Sequence, residues 1–357
     1  MSLSPIRVAL CADANYAPHL ATTLQSIFQH NVGADLEVHV LCTDVDAATR
    51  ARIEQVAHVF GRRLDFHEPD VSSFSHLGIR AHFSHAIYLR LLLPALFPDF
   101  DRLIYLDCDL IVETPLADLW ATDVADAGCA GMPEDAPCLR LGIQRYINSG
   151  VLLLNLDYWR RHDIAGRCIQ WLEENREQAM MPDQDAINVV LEGHIVFLAE
   201  KWNLNPAANL RPQSLDENPQ RILHFAGPYK PWHRYYDFRL ADIYRTYREA
   251  TPWGGEFQLK EPQTAPQALL VAHQLAARDR FPEAYAYFEL ALRMELAARK
   301  LDSMLQMRVV NVARALAGGG EFRQACDLHR ASFEQWGYPH DYQGLVYMYE
   351  LNSRRAA

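Results

Sequence analysis

Apolar positions in the first hundred residues alternate between short strand-like runs and stretches with helical spacing. Residues 6–12 (IRVALCA), interrupted only by Arg7, form the first run, and 36–43 (LEVHVLCT) and 64–67 (LDFH), where polar residues are set between apolar ones, read as the second and third strands. Such runs predict strands buried on both faces. Over 17–30, Leu20, Leu24 and Ile27 recur at four and three residues and share one helical face. Residues 46–60 read as a second helix, with Asp44 or Asp46 placed to cap it through a carboxylate that accepts from first-turn amides. Residues 83–96 read as a helix that ends before Pro98, and 103–106 as the next strand. This βαβαβ rhythm predicts a mainly parallel sheet with helices on both faces.

Further on the pattern loosens. A strand is expected over 151–156, a long helix over 158–178, a helix opened by Met181-Pro182-Asp183 and running to about 191, and a strand over 195–199. Pro206, Pro212 and Pro219 mark a loop-rich stretch. Residues 251–266 hold Pro252, Gly254, Gly255, Pro262 and Pro266 and read as a linker. Beyond it, Ala284, Phe288 and Ala291 and then Ala325, His329 and Ser332 repeat the same offsets, 41 residues apart (325 less 284). Two readings stay open: degenerate tetratricopeptide-type hairpins, whose standard repeat is about 34 residues, or a plain helical bundle. The expected organisation is a catalytic or binding domain over 1–250, a linker over 251–266 and a helical domain over 267–357.

Composition narrows the functional class. A chain of 357 residues suits one large and one smaller domain. A net charge of −11 argues against a nucleic-acid binder. Seven scattered cysteines without a CxxC pair suit a reducing compartment, so a cytoplasmic location is expected. The N-terminus lacks a signal-peptide pattern, and no run of 18 apolar residues suggests a membrane span. The first strand is followed by neither GxGxxG nor GxxxxGK[ST], which removes the main support for dinucleotide and P-loop readings.

The candidate chemistry starts at RLIYLDCDLIV, residues 102–112, where Asp107 and Asp109 stand at the end of a buried strand. Ligands of open α/β sheets gather beyond the carboxyl ends of strands. Paired carboxylates there are hard oxygen ligands for Mn²⁺ or Mg²⁺. Cys108 between them is expected to face the core. In ILHFAGPYKPW, residues 222–232, His224 offers an imidazole that completes a two-acid, one-histidine set. Gly227 would let backbone approach a phosphate, and Lys230 would neutralise it.

Taken together, VALCADANY (8–16), YLRL (88–91), YLDCDLIV (105–112), INSGVLLLNL (147–156) with DQD (183–185), and the His224 segment resemble glycosyltransferase family 8 over residues 5 to about 250. The likeness is to its bacterial lipopolysaccharide α-galactosyl- and α-glucosyltransferases and, more distantly, to glycogenin. The resemblance implies a GT-A-type α/β fold, a Rossmann-like mixed sheet with helices on both faces, ahead of the helical C-terminal region. It implies a UDP-hexose donor, a glycan or glycolipid acceptor, and a metal held by Asp107, Asp109 and His224. Ala12, Asp13, Asn15 and Tyr16 would face the uridine, with Ala14 where the family often has a second acid. Arg90 would grip sugar hydroxyls and Asp107. Asn148, Ser149 and Asp183 would line the sugar, and Asp135 would shape the acceptor side. Gln184 would lie against the sugar face opposite the leaving group. An amide is a poor nucleophile, so retention with entry from the leaving-group side is expected, with Gln184, Asp183 and Arg90 as the catalytic set. Glycogenin-like or protein-directed glucosylation is the enzymatic alternative. A nucleotide-sugar-binding interaction protein is the non-enzymatic one. The C-terminal helices would serve a protein partner or self-association. With only Arg354 and Arg355 basic at the end, membrane contact is expected to be at most peripheral, at the inner face.

Overall fold

The computed structural model describes residues 5–74, 77, 85–134, 138–205, 220–227, 229–299 and 304–336. Seven strands form one sheet in the order β3-β2-β1-β4-β7-β6-β8. These are β1 (Ile6–Asp13), β2 (Leu36–Thr43), β3 (Asp65–His67), β4 (Arg102–Leu106), β6 (Cys129–Pro133), β7 (Ile147–Asn155) and β8 (Ile195–Phe197). β3, β2, β1 and β4 run parallel. β7 is antiparallel to both β4 and β6, so the sheet is mixed. A second, two-stranded sheet pairs β5 (Leu110–Val112) with β9 (Ile222–His224) antiparallel, setting Leu110 opposite His224.

Alternate residues of the central strands feed opposite cores, as the two-residue strand period requires. Val8, Leu10, Ile104 and Leu106 join Leu20, Leu24 and Ile27 of the helix Ala17–His30 on one face. Ala9, Tyr105, Leu152 and Leu154 join Cys168, Leu172 and Ile187 on the other. Asp46, not Asp44, caps the helix Ala47–Val59, accepting from the Thr49 amide at 2.7 Å.

Three expectations need correction. The helix expected over 83–96 is a 3-10 run, His85–Leu92, followed by one α-turn, Leu93–Leu96. Pro94 has no amide hydrogen to give the carbonyl four residues back, so a continuous α-helical ladder cannot pass it. The helix expected over 158–178 is two, Leu156–Arg161 and Ile164–Glu174, parted at Asp163 with φ +47. β7 is longer than expected, and all nine of its residues are buried.

By internal contacts the chain forms two units, residues 1–226 with 246–257, and residues 227–245 with 258–357. In the first, Trp253 is buried in the core beneath the Arg52 guanidinium at 4.1 Å, and Arg52 also binds the Pro252 carbonyl and Glu256. In the second, Ala265–Ala276 packs on Phe281–Arg299, and Met304–Gly318 on Phe322–Trp336. Ala284, Phe288, Ala291, Ala325 and His329 are all fully buried, which explains their recurring offsets. The side chain of Ser332 lies outside the described residues.

In this helical unit Phe288 lies between two imidazoles. His273 meets it edge-on at 5.3 Å, and His329 stacks on it at 5.8 Å. His273 Nε2 and both ring nitrogens of His329 are buried without hydrogen-bond partners among the described residues. Burial pushes both pKa values down to about 4, helped by Arg330 at His273 and opposed by Glu289 at His329. A folded pKa below the unfolded value means that the unfolded chain binds protons first. Stability is therefore complete above the unfolded pKa of about 6.5 and is lost as pH falls towards 4. Thermal melting of the full chain should show the lowest transition falling by at least roughly 4 °C between neutral and mildly acidic pH, and His329→Leu should reduce that slope.

Candidate functional site

The carboxyl ends of β1 and β4 meet β7, the β5–β9 pair and the helix Pro182–Val190, and the polar side chains they carry are mostly buried. Asp107 follows β4, and its amide donates to the Gly150 carbonyl at 2.8 Å. Its Oδ1 accepts from Arg90 Nη2 at 2.9 Å and from the Tyr105 hydroxyl at 2.7 Å. Its Oδ2 lies 3.7 Å from His224 Nε2, and Asp109 Oδ1 lies 3.4 Å from the same nitrogen. One ligand atom from each of Asp107, Asp109 and His224 falls within 4.8 Å of the others.

The tautomer of His224 is set from behind. Asn203 Nδ2 donates to Asn148 Oδ1 at 2.9 Å, which turns Asn203 Oδ1 towards His224 Nδ1 at 2.8 Å. In the neutral ring, Nδ1 then carries the hydrogen and Nε2 presents its lone pair to the two carboxylates. Three electron-pair donors facing one point fit a divalent cation. Gly150 makes room for them. A Cβ there would stand 2.2 Å from His224 Cε1 and 2.7 Å from Asp107 Oδ2.

A second cluster adjoins the first. Arg90 is only 5% exposed. Its Nε pairs with Asp183 Oδ2 at 3.0 Å, its Nη1 donates to the Ser149 carbonyl and hydroxyl, both at 2.8 Å, and its plane lies 4.4 Å from the Tyr105 ring centre. Burial works against the Arg90 charge, but Asp107 and Asp183 outweigh it and hold the guanidinium protonated. Burial raises the Asp183 pKa against the opposing pull of Arg90. Gln184 Oε1 accepts from the Ser149 amide at 2.9 Å and hydroxyl at 3.2 Å. Gln184 Nε2 donates to the Tyr146 hydroxyl at 3.0 Å and to Glu134 Oε2 at 3.2 Å. Asp185, fully buried, accepts from Tyr146, Arg140 and the amides of Met180 and Met181.

The expected residues divide as follows. Arg90, Asp107, Asp109, Asn148, Ser149, Asp183, Gln184 and His224 come together. Ala12 is buried near the end of β1, and Asp13 Oδ1 accepts from the Asn15 and Tyr16 amides at 2.9 and 3.1 Å, with Asn15 exposed. Burial raises the Tyr16 pKa. Cys108 does turn into the core, with its thiol on the Cys11 carbonyl at 2.9 Å. Asp135 lies outside the described residues. Gly227 and Lys230 belong to the second unit, Gly227 with φ +83 and the Lys230 ammonium 5.9 Å from the Trp232 ring. Asn203 and Tyr146 complete the cluster and were not expected in it, and Gly150 and Glu134, neighbours of the expected Ser149 and Asp135, join them. The SG pair after Asn148 was a signal for Gly150, but Asn203 carries none.

The family profile described as Glycosyl transferase family 8 matches residues 7–235. General stress protein A of Bacillus subtilis (strain 168) is 29% identical over 70% of this chain and 94% of its own. Lipopolysaccharide glucosyltransferase WaaO of Escherichia coli (strain K12) is 24% identical over 79% of this chain and 88% of its own. Among solved structures, the galactosyltransferase LgtC in complex with donor and acceptor sugar analogues superposes with a TM-score of 0.64 at 26% identity, over 70% of this chain and 100% of that one. A further structure of LgtC carries a glutamine-to-glutamate active-site mutation.

Because Asn203 holds the His224 Nδ1 hydrogen, Asn203→Ala should weaken Mn²⁺ binding roughly 10–100-fold, measured by calorimetry, with the circular dichroism unchanged. Gly150→Ala should weaken it at least as much, because the added methyl occupies the place of the imidazole edge.

Proposed function

The chain belongs to glycosyl transferase family 8, and from that membership we propose that it moves galactose or glucose from a UDP-sugar to a glycan acceptor of lipopolysaccharide type, with a divalent cation, Mn²⁺ or Mg²⁺, at Asp107, Asp109 and His224 and with retention of the α-configuration. The observation that carries this reading is the convergence of those three side chains beside the buried Arg90–Asp183–Gln184 cluster. Relatives that act with glucose and with galactose both resemble the chain, so the donor is given as a hexose.

A cation bound at the two acids and the imidazole would draw charge from the departing diphosphate. The remaining work falls to the chain. Asp13 has Oδ1 tied to the Asn15 and Tyr16 amides, which orients the carboxylate to receive the uracil imide N–H, with the Tyr16 ring as a stacking surface. Arg90 and Asp183 present a fixed donor–acceptor pair to the sugar hydroxyls. Asn148, bound to Glu134 and Asn203, holds an oriented amide beside them.

For the chemical step, a double displacement needs a carboxylate nucleophile. Asp183 is committed to Arg90, and Asp185 is saturated by four donors. Both carboxylates are thus held as polar anchors, which argues against either as the nucleophile. Gln184 can steady positive charge at the anomeric carbon without bonding to it. The anomeric C–O bond to the diphosphate then breaks as the acceptor oxygen bonds from the same face, and the acceptor proton passes to the departing diphosphate oxygen.

Incubation with UDP-galactose or UDP-glucose and Mn²⁺ should release UDP and give an α-linked product by NMR. A β-linked product, or no UDP from either donor, rejects the reading. Asp109→Ala should lower kcat/KM by about 10³-fold or more while the chain stays folded. Gln184→Ala should lower kcat with UDP affinity kept. A glycosyl adduct trapped on Asp183 or Asp185 and seen by mass spectrometry would reject front-face retention.

A further inference from the structure

On the outer strands of the sheet, away from the ends of β1 and β4, two acid-x-histidine pairs lie side by side. β2 carries Glu37 and His39, and β3 carries Asp65 and His67. The strands are parallel, with His39 opposite Asp65 and Leu41 opposite His67. The two-residue period therefore sends all four side chains to one face. We propose that Glu37, His39 and Asp65, with His67 behind His39, form a second divalent-cation site, suited to Zn²⁺ or a similar first-row ion.

One ligand atom from each of Glu37, His39 and Asp65 lies within 4.8 Å of the others. His39 is 4% exposed, and its Nε2 is buried with no hydrogen-bond partner among the described residues. That nitrogen stands 3.5 Å from Glu37 Oε1. Two ligands of a tetrahedral ion with bonds near 2.1 Å are themselves about 3.4 Å apart. The other ring nitrogen, Nδ1, is 3.2 Å from His67 Nε2 and 3.8 Å from Asp65 Oδ2, so Asp65 would reach the ion from the Nδ1 side of the ring. If Nδ1 carries the hydrogen and donates to His67, the Nε2 lone pair faces a carboxylate with nothing between them. If Nε2 carries it, the N–H meets the Glu37 carboxylate only at 3.5 Å, too loosely for a hydrogen bond. A cation between Nε2 and Glu37 removes the conflict, and His67 becomes the outer partner that metal-bound histidines ordinarily have.

The surroundings support the reading. Arg7 Nε pairs with Glu37 Oε2 at 3.0 Å, so the carboxylate is held with Oε1 turned to His39. Arg50, the nearby cation in the cavity, is paired with Glu68. A cavity of about 600 Å³ lined by His39, Asp65, His67 and Phe97 opens on the cluster. The Asp65 side chain is 63% exposed, which leaves room for water on the ion. Bound there, the cation would tie edge strand β3 to β2.

The test is dialysis of the full-length chain against Zn²⁺ followed by elemental analysis. The wild type should hold about two equivalents, and Asp107→Asn/Asp109→Asn about one. Adding Glu37→Gln and Asp65→Asn to that double variant should remove the remaining zinc and abolish the rise in thermal midpoint that zinc gives it. Both residues are at least partly exposed, so these substitutions spare the core. A double variant that holds no zinc, or whose zinc survives Glu37→Gln/Asp65→Asn, overturns the proposal. A wild type that holds one equivalent, lost with the Asp107/Asp109 pair, overturns it while leaving the transferase reading intact.

Discussion

A single buried guanidinium orders the site. Arg90 binds Asp107 with one arm, Asp183 through Nε and both the carbonyl and hydroxyl of Ser149 with the other arm. It thereby fixes the end of β4, the start of β7 and the first turn of Pro182–Val190 relative to one another. Removing one partner of such a group leaves a charge buried without compensation, at a cost of about 3–5 kcal/mol. The constraint also divides the labour within one carboxylate. Oδ1 of Asp107 is taken by Arg90 and Tyr105, so only Oδ2 faces His224. The acid that would hold a cation is rigid because its other oxygen already neutralises an arginine.

The mixed topology supplies the rest of the geometry. A purely parallel sheet would give strand ends from one direction. Here β7 runs back along β4 and places the Gly150 carbonyl on the Asp107 amide. The small β5–β9 pair then brings His224 opposite Leu110, one residue past Asp109. The backbone on both sides of the imidazole is held, with the His224 amide on Leu204 and the Phe225 amide on Asp109. The ring gains its precision from strand register rather than from a loop, which is what a first coordination sphere requires.

How far this was legible follows from where the signal sits. β1 could be read because its run is apolar but for Arg7, and β2 because Leu36, Val38 and Val40 alternate with Glu37 and His39 before an apolar end. β6, CAGMP, could not, since glycine, alanine and proline carry no strand preference. The break at Asp163 was hidden because a left-handed residue within helical spacing leaves the periodicity almost intact. In the site, Asp107, Asp109, His224 and Gln184 stood out because their chemistry falls in short motifs. Asn203, Tyr146 and Glu134 are lone polar residues, and their parts depend on contacts 14 to 55 residues away in sequence. The Glu37–His39 and Asp65–His67 pairs are ordinary separately and gain meaning only when β2 and β3 are set in register.

The buried polar network also bears on why position 184 holds an amide. Both lone pairs of its oxygen are used by Ser149, and both its hydrogens by Tyr146 and Glu134. Tyr146 has given its own hydrogen to Asp185, so towards Gln184 it can only accept. A glutamate side chain in that pose would set an oxygen against the Glu134 carboxylate and another acceptor, in a region already holding Asp183 and Asp185. Like charges at such distance disfavour ionisation. The acid would be pushed towards its neutral form, the form that cannot attack. The surroundings that fix the amide therefore oppose a carboxylate nucleophile at the same place, and they do so before any substrate is bound.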